Sequence, residues 1–147
     1  MEWKGVMPAI TTKFTRDDKL DLELFNKNLA FQLKSNIDAI VLAGSLGEAS
    51  TLTQNEKNIL TENTVEFVNN KIPVVVNIAE QSTKEALNSI RSAEKSGASG
   101  LMVLPPMRYK SGRKETISYF ESIANSTDLP IMIYNNPVDY GIEVTID

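Results

Sequence analysis

The chain has 147 residues, 41% of them apolar and 23% charged, with a net charge of −4, enough for one domain with a real core. It contains no cysteine and no histidine, which excludes disulfides, thiolate chemistry, the Ser-His-Asp triad and most zinc sites. Its basic residues are scattered and no stretch is long enough to span a bilayer, so no nucleic acid or membrane partner is expected, and without a signal-peptide pattern a cytoplasmic location is the default.

The first predicted strand is Val6 to Thr12, VMPAITT, where Pro8 is awkward inside a ladder and calls for a bulge. A polar connection leads to a helix from about Asp21 to Ser35, with Leu22, Phe25, Leu29 and Leu33 as its buried stripe. The apolar run Ala39 to Ala43 reads as a second strand, buried on both faces. It ends in Gly44-Ser45-Leu46-Gly47-Glu48, and ligand sites of α/β folds lie at such carboxyl ends of strands.

Two glycines three apart let backbone approach a ligand, while Ser45 offers a hydroxyl and Leu46 and Gly47 offer N–H groups. This is neither a dinucleotide fingerprint, since Leu46 stands where a glycine is needed, nor a P-loop. A plain strand-to-helix turn with Ser45 and Glu48 as a capping pair explains the local pattern equally well.

The second helix starts at Thr53, with Thr53 and Glu56 as a capping box, and runs to about Asn69, burying Leu60, Phe67 and Val68. The third strand is Val74 to Ile78. Ser82 and Glu85 cap a third helix ending at Ser96, with Ala86, Ile90 and Ala93 inward and Gly97 as its stop. The fourth strand is Gly100 to Leu104, followed by a loop to Gly112. A fourth helix, about Arg113 to Ser126, turns Ile117, Phe120 and Ile123 to one face. The fifth strand is Pro130 to Tyr134, and Val138 to Asp147 reads as a loop leading to a further element.

Strands thus begin near Val6, Ala39, Val74, Leu101 and Ile131, a spacing of roughly 30 residues, the length of a βαβ unit. Five strands alternate with four helices, which predicts a parallel sheet. A five-stranded doubly wound domain fits, and so do the first five strands of a (β/α)₈ barrel of ~250 residues.

The loops at Gly44–Glu48, Pro105–Tyr109 and Tyr134–Tyr140 gather at the carboxyl ends. An all-carboxylate Mg²⁺ site is formally open, but no paired acids at strand ends would build one, so no metal or cofactor is expected. Tyr134 could pass protons to a substrate; a buried tyrosine with a satisfied hydroxyl reads as well. Tyr109 and Tyr140, in loops, have the weaker case. Asn135 and Asn136 could touch substrate, although Asn before Pro is also turn chemistry.

Gly44-Ser45-Leu46-Gly47-Glu48, Tyr134-Asn135-Asn136-Pro137 and the opening GVMPAITT together resemble the N-terminal part of the dihydrodipicolinate synthase/N-acetylneuraminate lyase family of Schiff-base aldolases. The resemblance covers essentially the whole chain. It implies that residues 1–147 are the N-terminal part of one (β/α)₈ barrel, here about five strands and four helices. It also implies an imine-forming lysine on a sixth strand beyond Asp147, and a 2-keto acid or cyclic imine acid as substrate. Ser45 and Tyr134 would be catalytic, Tyr134 as proton donor and acceptor. Ala9, Gly44, Ser45, Leu46, Gly47 and Asn136 would bind substrate.

Three positions depart from the synthase pattern: Leu46 for the second turn threonine, Pro106-Met107 for a Pro-Tyr-Tyr segment, and Asp139 for an arginine that holds a distal carboxylate. The combination looks more like the hydroxyproline-degradation branch that includes 1-pyrroline-4-hydroxy-2-carboxylate deaminase. Lys13 and Lys110 lie nearest to strand ends but in polar loops, whereas a Schiff-base lysine needs a desolvated site.

The other readings are a catalytically inactive, self-associating α/β fragment and a small-ligand-binding or signalling domain. A receiver-like domain would need acids where Thr11-Thr12-Lys13 stands and a lysine where Asn135-Asn136 stands; only Glu80 fits its pattern. Open sheet edges and exposed apolar faces predict a homo-oligomer.

Overall fold

The computed structural model describes residues 1–106 and 110–145. Four parallel strands, β1 (Ile40–Leu42), β2 (Val74–Ile78), β3 (Gly100–Val103) and β4 (Ile131–Ile133), form one sheet in the order β1-β2-β3-β4. Between them run α1 (Leu22–Lys34), ahead of β1, then α2 (Gln54–Val68), α3 (Thr83–Lys95) and α4 (Arg113–Ala124). A short α5 (Pro137–Tyr140) follows β4, in the segment expected to be loop.

The strand order decides between the two expected folds. A doubly wound sheet reverses its order at a switch point. Here every crossover steps to the next neighbour in the same direction, and right-handed connections then put all helices on one face. The helices accordingly pack as α1 on α2, α2 on α3 and α3 on α4. The other face of the sheet is left concave and open, as in an arc of a barrel.

The expected first strand shrinks to an edge segment with a single parallel bridge, Ala9 to Val41. Ile10 donates to the Val41 carbonyl at 3.0 Å, and Val41 donates to the Pro8 carbonyl at 2.9 Å. Pro8 has no N–H with which to continue that ladder. Val6 instead accepts from Asp38, so a two-residue step faces a three-residue step. That extra residue is the bulge the proline calls for.

The helices begin where their caps predict. Asp21 accepts from the Leu24 N–H at 2.8 Å, and Thr53 and Glu56 close the capping box of α2. Ser82 accepts from the Glu85 N–H ahead of α3. α3 hands over to Gly97, which has φ +87°, a left-handed conformation open to glycine at no cost.

One apolar cluster joins α1, β1 and α2 around Phe25, Leu29 and Leu42; another joins β2, α3, β3 and α4 around Ile90, Leu101 and Ile123. Two inward placements are corrected. Phe67 is 38% exposed and Ile117 is 46% exposed. The buried stripe of α2 runs Leu60, Thr61, Thr64 and Val68, with both threonine hydroxyls returned to the carbonyls of Lys57 and Leu60. The stripe of α4 is Thr116, Tyr119 and Ile123. An adjacent residue lies about 100° around the helix and misses the face.

Candidate active site

Successive strand residues point to opposite faces. Val76, Ile78, Leu101 and Val103 face the helices, which leaves Val41, Asn77, Met102, Leu104, Met132 and Tyr134 on the concave face. With Met7, Ala9, Gly44, Ser45, Leu46 and Tyr140 they line a cavity of about 570 Å³. Its floor is the N-terminal segment. A Cβ on Gly100 would stand 2.7 Å from the Met1 sulfur and 3.2 Å from the Trp3 ring, so glycine at the start of β3 lets that segment pack there. A second groove of about 640 Å³, lined by Ile117, Phe120, Ile133 and Ile142, lies on the helix side of β4, away from the turn after β1.

The turn after β1 is a single 3₁₀ turn, Ser45–Gly47, not the start of a helix. Glu48 ends it in a left-handed conformation, φ 59°, and donates its N–H to the Ser45 carbonyl. Ser45 and Glu48 are therefore not a capping pair. The Gly47 N–H, expected to face a ligand, donates instead to the Gly44 carbonyl at 2.9 Å. The Ser45 and Leu46 N–H groups and the Ser45 hydroxyl have no hydrogen-bond partner among the described residues.

Two contacts hold this turn. The Thr12 hydroxyl, buried, donates to the Gly47 carbonyl at 2.6 Å. The Asn77 amide donates to the Ala43 carbonyl at 2.8 Å, where Ala43 has φ 52°, a left-handed conformation that costs an alanine roughly 1–2 kcal/mol. The two glycines differ. A Cβ on Gly47 would stand 3.0 Å from the Ile10 carbonyl oxygen, whereas one on Gly44 would meet only the Ala9 methyl at an ordinary 3.7 Å. A side chain at Gly47 would crowd the Ile10 carbonyl, while Gly44 leaves room in the cavity wall beside Ala9.

Tyr134 continues β4, its N–H donating to the Val103 carbonyl. It is 40% exposed, and its hydroxyl has no partner among the described residues. It is thus not the buried, satisfied tyrosine that the pattern also allowed. Tyr140, discounted as a loop residue, sits on α5 and packs against the Tyr134 ring with centroids 6.1 Å apart.

Asn135 and Asn136 do turn chemistry. Asn135 exchanges two hydrogen bonds with the Val144 backbone. Asn136 caps α5 and donates to the Asp139 carboxylate at 2.6 Å, and it does not line the cavity. Met107 and Tyr109 lie outside the described residues.

Sequence reasoning passed over Thr12, Asn77, Met102 and Met132 as site residues. The available signal was Asn77, the one polar residue in the apolar run VVVNI; buried polar groups are the informative exceptions in a strand. Tyr119 is also buried, on the helix side, and burial pushes its phenol well above the usual range. It faces the apolar cluster, not the cavity.

Lys4 is the one lysine lining the cavity among the described residues. It is exposed and ion-paired with Glu2 at the floor, whereas an imine-forming lysine needs a desolvated site. Lys13 donates to the Thr11 hydroxyl, and Lys110 lines the outer groove.

The sequence profile of the dihydrodipicolinate synthetase family matches residues 2–147. A 4-hydroxy-tetrahydrodipicolinate synthase from Alkaliphilus oremlandii (strain OhILAs) is 38% identical over 142 residues, 97% of this chain and 49% of that protein. Among solved structures, the 4-hydroxy-tetrahydrodipicolinate synthase of Methylacidiphilum fumariolicum SolV superposes with a TM-score of 0.93 at 30% identity, over 98% of this chain and 48% of that one. YagE, a prophage protein of the dihydrodipicolinic acid synthase family from E. coli K12 solved in complex with pyruvate, superposes with a TM-score of 0.91 at 30% identity, over 96% of this chain and 47% of that one. The chain spans about half the length of the curated relatives it matches, and its strands and helices correspond to the N-terminal part of the family's (β/α)₈ barrel. With one profile running through almost every residue and the same arc of strands underneath, the chain belongs to the dihydrodipicolinate synthetase family.

Proposed function

We propose that residues 1–147 are the N-terminal part of a single barrel domain and carry the carboxylate-binding and proton-relay side of a Schiff-base-forming lyase, deaminase or aldolase. Its substrate is a small 2-keto acid or cyclic imine acid. The observation that carries this reading is the set of unpaired groups on one cavity: the Ser45 and Leu46 N–H groups, the Ser45 hydroxyl and the Tyr134 phenol.

A substrate carboxylate accepts from the two N–H groups at the start of the 3₁₀ turn, where uncompensated backbone donors favour an anion. Ala9 and Gly44 leave space for it, while Gly47 and Asn136 act as frame. The Tyr134 phenol delivers and removes the proton that imine formation and breakdown require. Ser45 links it to the relay. The imine-forming amine comes from outside residues 1–147, because Lys4, Lys13 and Lys110 are all solvated or engaged elsewhere.

The finer assignment within the family rests on Leu46 and Asp139. A distal carboxylate would meet an acid already bonded to Asn136, which favours the deaminase branch over a synthase. No helix among the described residues is long and apolar enough to cross a membrane, and a cytoplasmic location goes with this reading. A second reading, a self-associating fragment without catalysis, is favoured by the exposed apolar flank of β4.

Pyruvate followed by borohydride tests the first reading. The chain alone should gain no mass, and the same chain completed by a lysine-bearing barrel half should gain one reduced pyruvate. Labelling of the chain alone would place the nucleophile within residues 1–147. Pyruvate that leaves the Ser45 and Leu46 amide resonances unmoved would remove the carboxylate site.

A further inference from the structure

One buried polar atom in the cavity wall has no partner. Asn77 is 3% exposed, and its Oδ1 accepts no hydrogen bond among the described residues. The orientation of the amide is fixed by chemistry. Its Nδ2 donates to the Ala43 carbonyl at 2.8 Å, and turning it over would set two acceptors against each other. In register Asn77 stands beside Met102 of β3, and Met102 beside Met132 of β4. Neither side chain can donate. An orphaned carbonyl oxygen in such a wall is costly, so a donor from whatever fills the cavity gains more there than in water.

We propose that Asn77 is a specificity-determining residue, its Oδ1 accepting a hydrogen bond from a hydroxyl group of a hydroxylated monocarboxylic 2-keto acid. This rests on the carboxylate site proposed above. The same Asn77 amide grips Ala43, two residues before Ser45, so its oxygen lies beside the carboxylate turn. The donor is a neutral hydroxyl, because no Asp or Glu is among the described residues lining the cavity to balance an ammonium. The substrate carries one carboxylate, because in register Asn77 stands beside Met102 and Met102 beside Met132, which offer a second carboxylate no donor, and Lys4, the one lysine lining the cavity among the described residues, is already paired with Glu2.

Two matched pairs test this by NMR titration of the purified chain: pyruvate against hydroxypyruvate, and 2-oxobutanoate against 4-hydroxy-2-oxobutanoate. The hydroxylated member of at least one pair should bind about 3- to 10-fold tighter, the worth of one neutral hydrogen bond. Asn77→Leu should erase that ratio even where, by releasing the Ala43 carbonyl, it weakens pyruvate as well. Asn77→Asp, which keeps an acceptor, should retain the ratio even where it weakens both acids. Equal binding within both pairs by the unaltered chain, or a ratio that survives Asn77→Leu, overturns the proposal and leaves the carboxylate site standing. Failure of pyruvate itself to bind overturns that site and this proposal together.

Discussion

The Thr12 hydroxyl donates to the Gly47 carbonyl across 2.6 Å, joining the first extended segment to the turn after β1 over a sequence separation of 35. The pairing of that segment with β1 is reduced to one bridge, so this hydrogen bond carries more of the registration than in an unbroken ladder. Thr12→Val keeps the shape and removes the donor, leaving a buried carbonyl unsatisfied. It should lower stability by about 1–3 kcal/mol, read as a lower urea midpoint at unchanged slope, and weaken pyruvate binding in the same NMR titration.

The two glycines of the turn should separate stability from binding. Gly47→Ala drives a methyl to 3.0 Å from the Ile10 carbonyl, on backbone already held by Val41, and should cost about 1–3 kcal/mol. Gly44 has φ −72° and ψ −179°, which alanine adopts without strain. Gly44→Ala should leave the chain as stable, or stabilise it by about 0.4–1 kcal/mol through the unfolded state. Its methyl enters the cavity wall and should weaken pyruvate binding. Thermal melts and titrations of both variants check the crossover.

Much of the fold was legible because the four strands are, Asn77 apart, apolar runs and the helices open on capping pairs such as Thr53 with Glu56. What escaped was tertiary. Pro8 removes a ladder hydrogen bond. Phe67 and Ile117 sit beside the residues that face the core, and sequence periodicity does not resolve neighbours about 100° apart. In the site, the residues of both motifs were legible, but their hydrogen-bond accounts were not. Gly47 uses its N–H locally, and Asn136 bonds Asp139. Asn77 acquires meaning only once Ala43 is seen against it.

Tyr134→Phe removes a hydroxyl with no partner among the described residues, so the melting temperature should not move. In a barrel completed by the imine-forming lysine, exchange of the pyruvate methyl protons for deuterium should slow by about 10²- to 10⁴-fold, the range of positioned acid–base catalysis. KM should stay within about twofold, because a proton-transfer group acts in the transition state. An equal rise in KM with no loss of kcat would make Tyr134 a packing residue.

Glu56 gives a pH dependence of known sign. The Thr53 N–H at 2.8 Å and then the Thr53 hydroxyl at 2.7 Å hold its carboxyl below the ordinary carboxylate range. Its folded-state pKa is depressed, so its contribution is present above the unfolded-state value and is lost as pH falls through the folded-state value. Glu56→Gln retains an acceptor but does not titrate. The stability gap between the two forms should be greatest near neutral pH and shrink toward about pH 3, as urea midpoints across that range would record. A gap that widens on acidification would contradict the capping-box account.

Self-association follows from the open arc. Among the described residues β4 pairs with β3 alone, and beside it Ile117, Ile133 and Val138 are 46%, 41% and 91% exposed. An unpaired edge next to an apolar flank is a template for another chain, and a net charge of −4 over 147 residues gives only weak repulsion against it. The chain should therefore scatter light as a dimer or larger assembly of 16.3 kDa units. Ile133→Lys places a charge on that flank and should shift the mass toward the monomer. A monodisperse 16.3 kDa species for the unaltered chain would refute association and mean that the flank stays solvated despite its apolar surface.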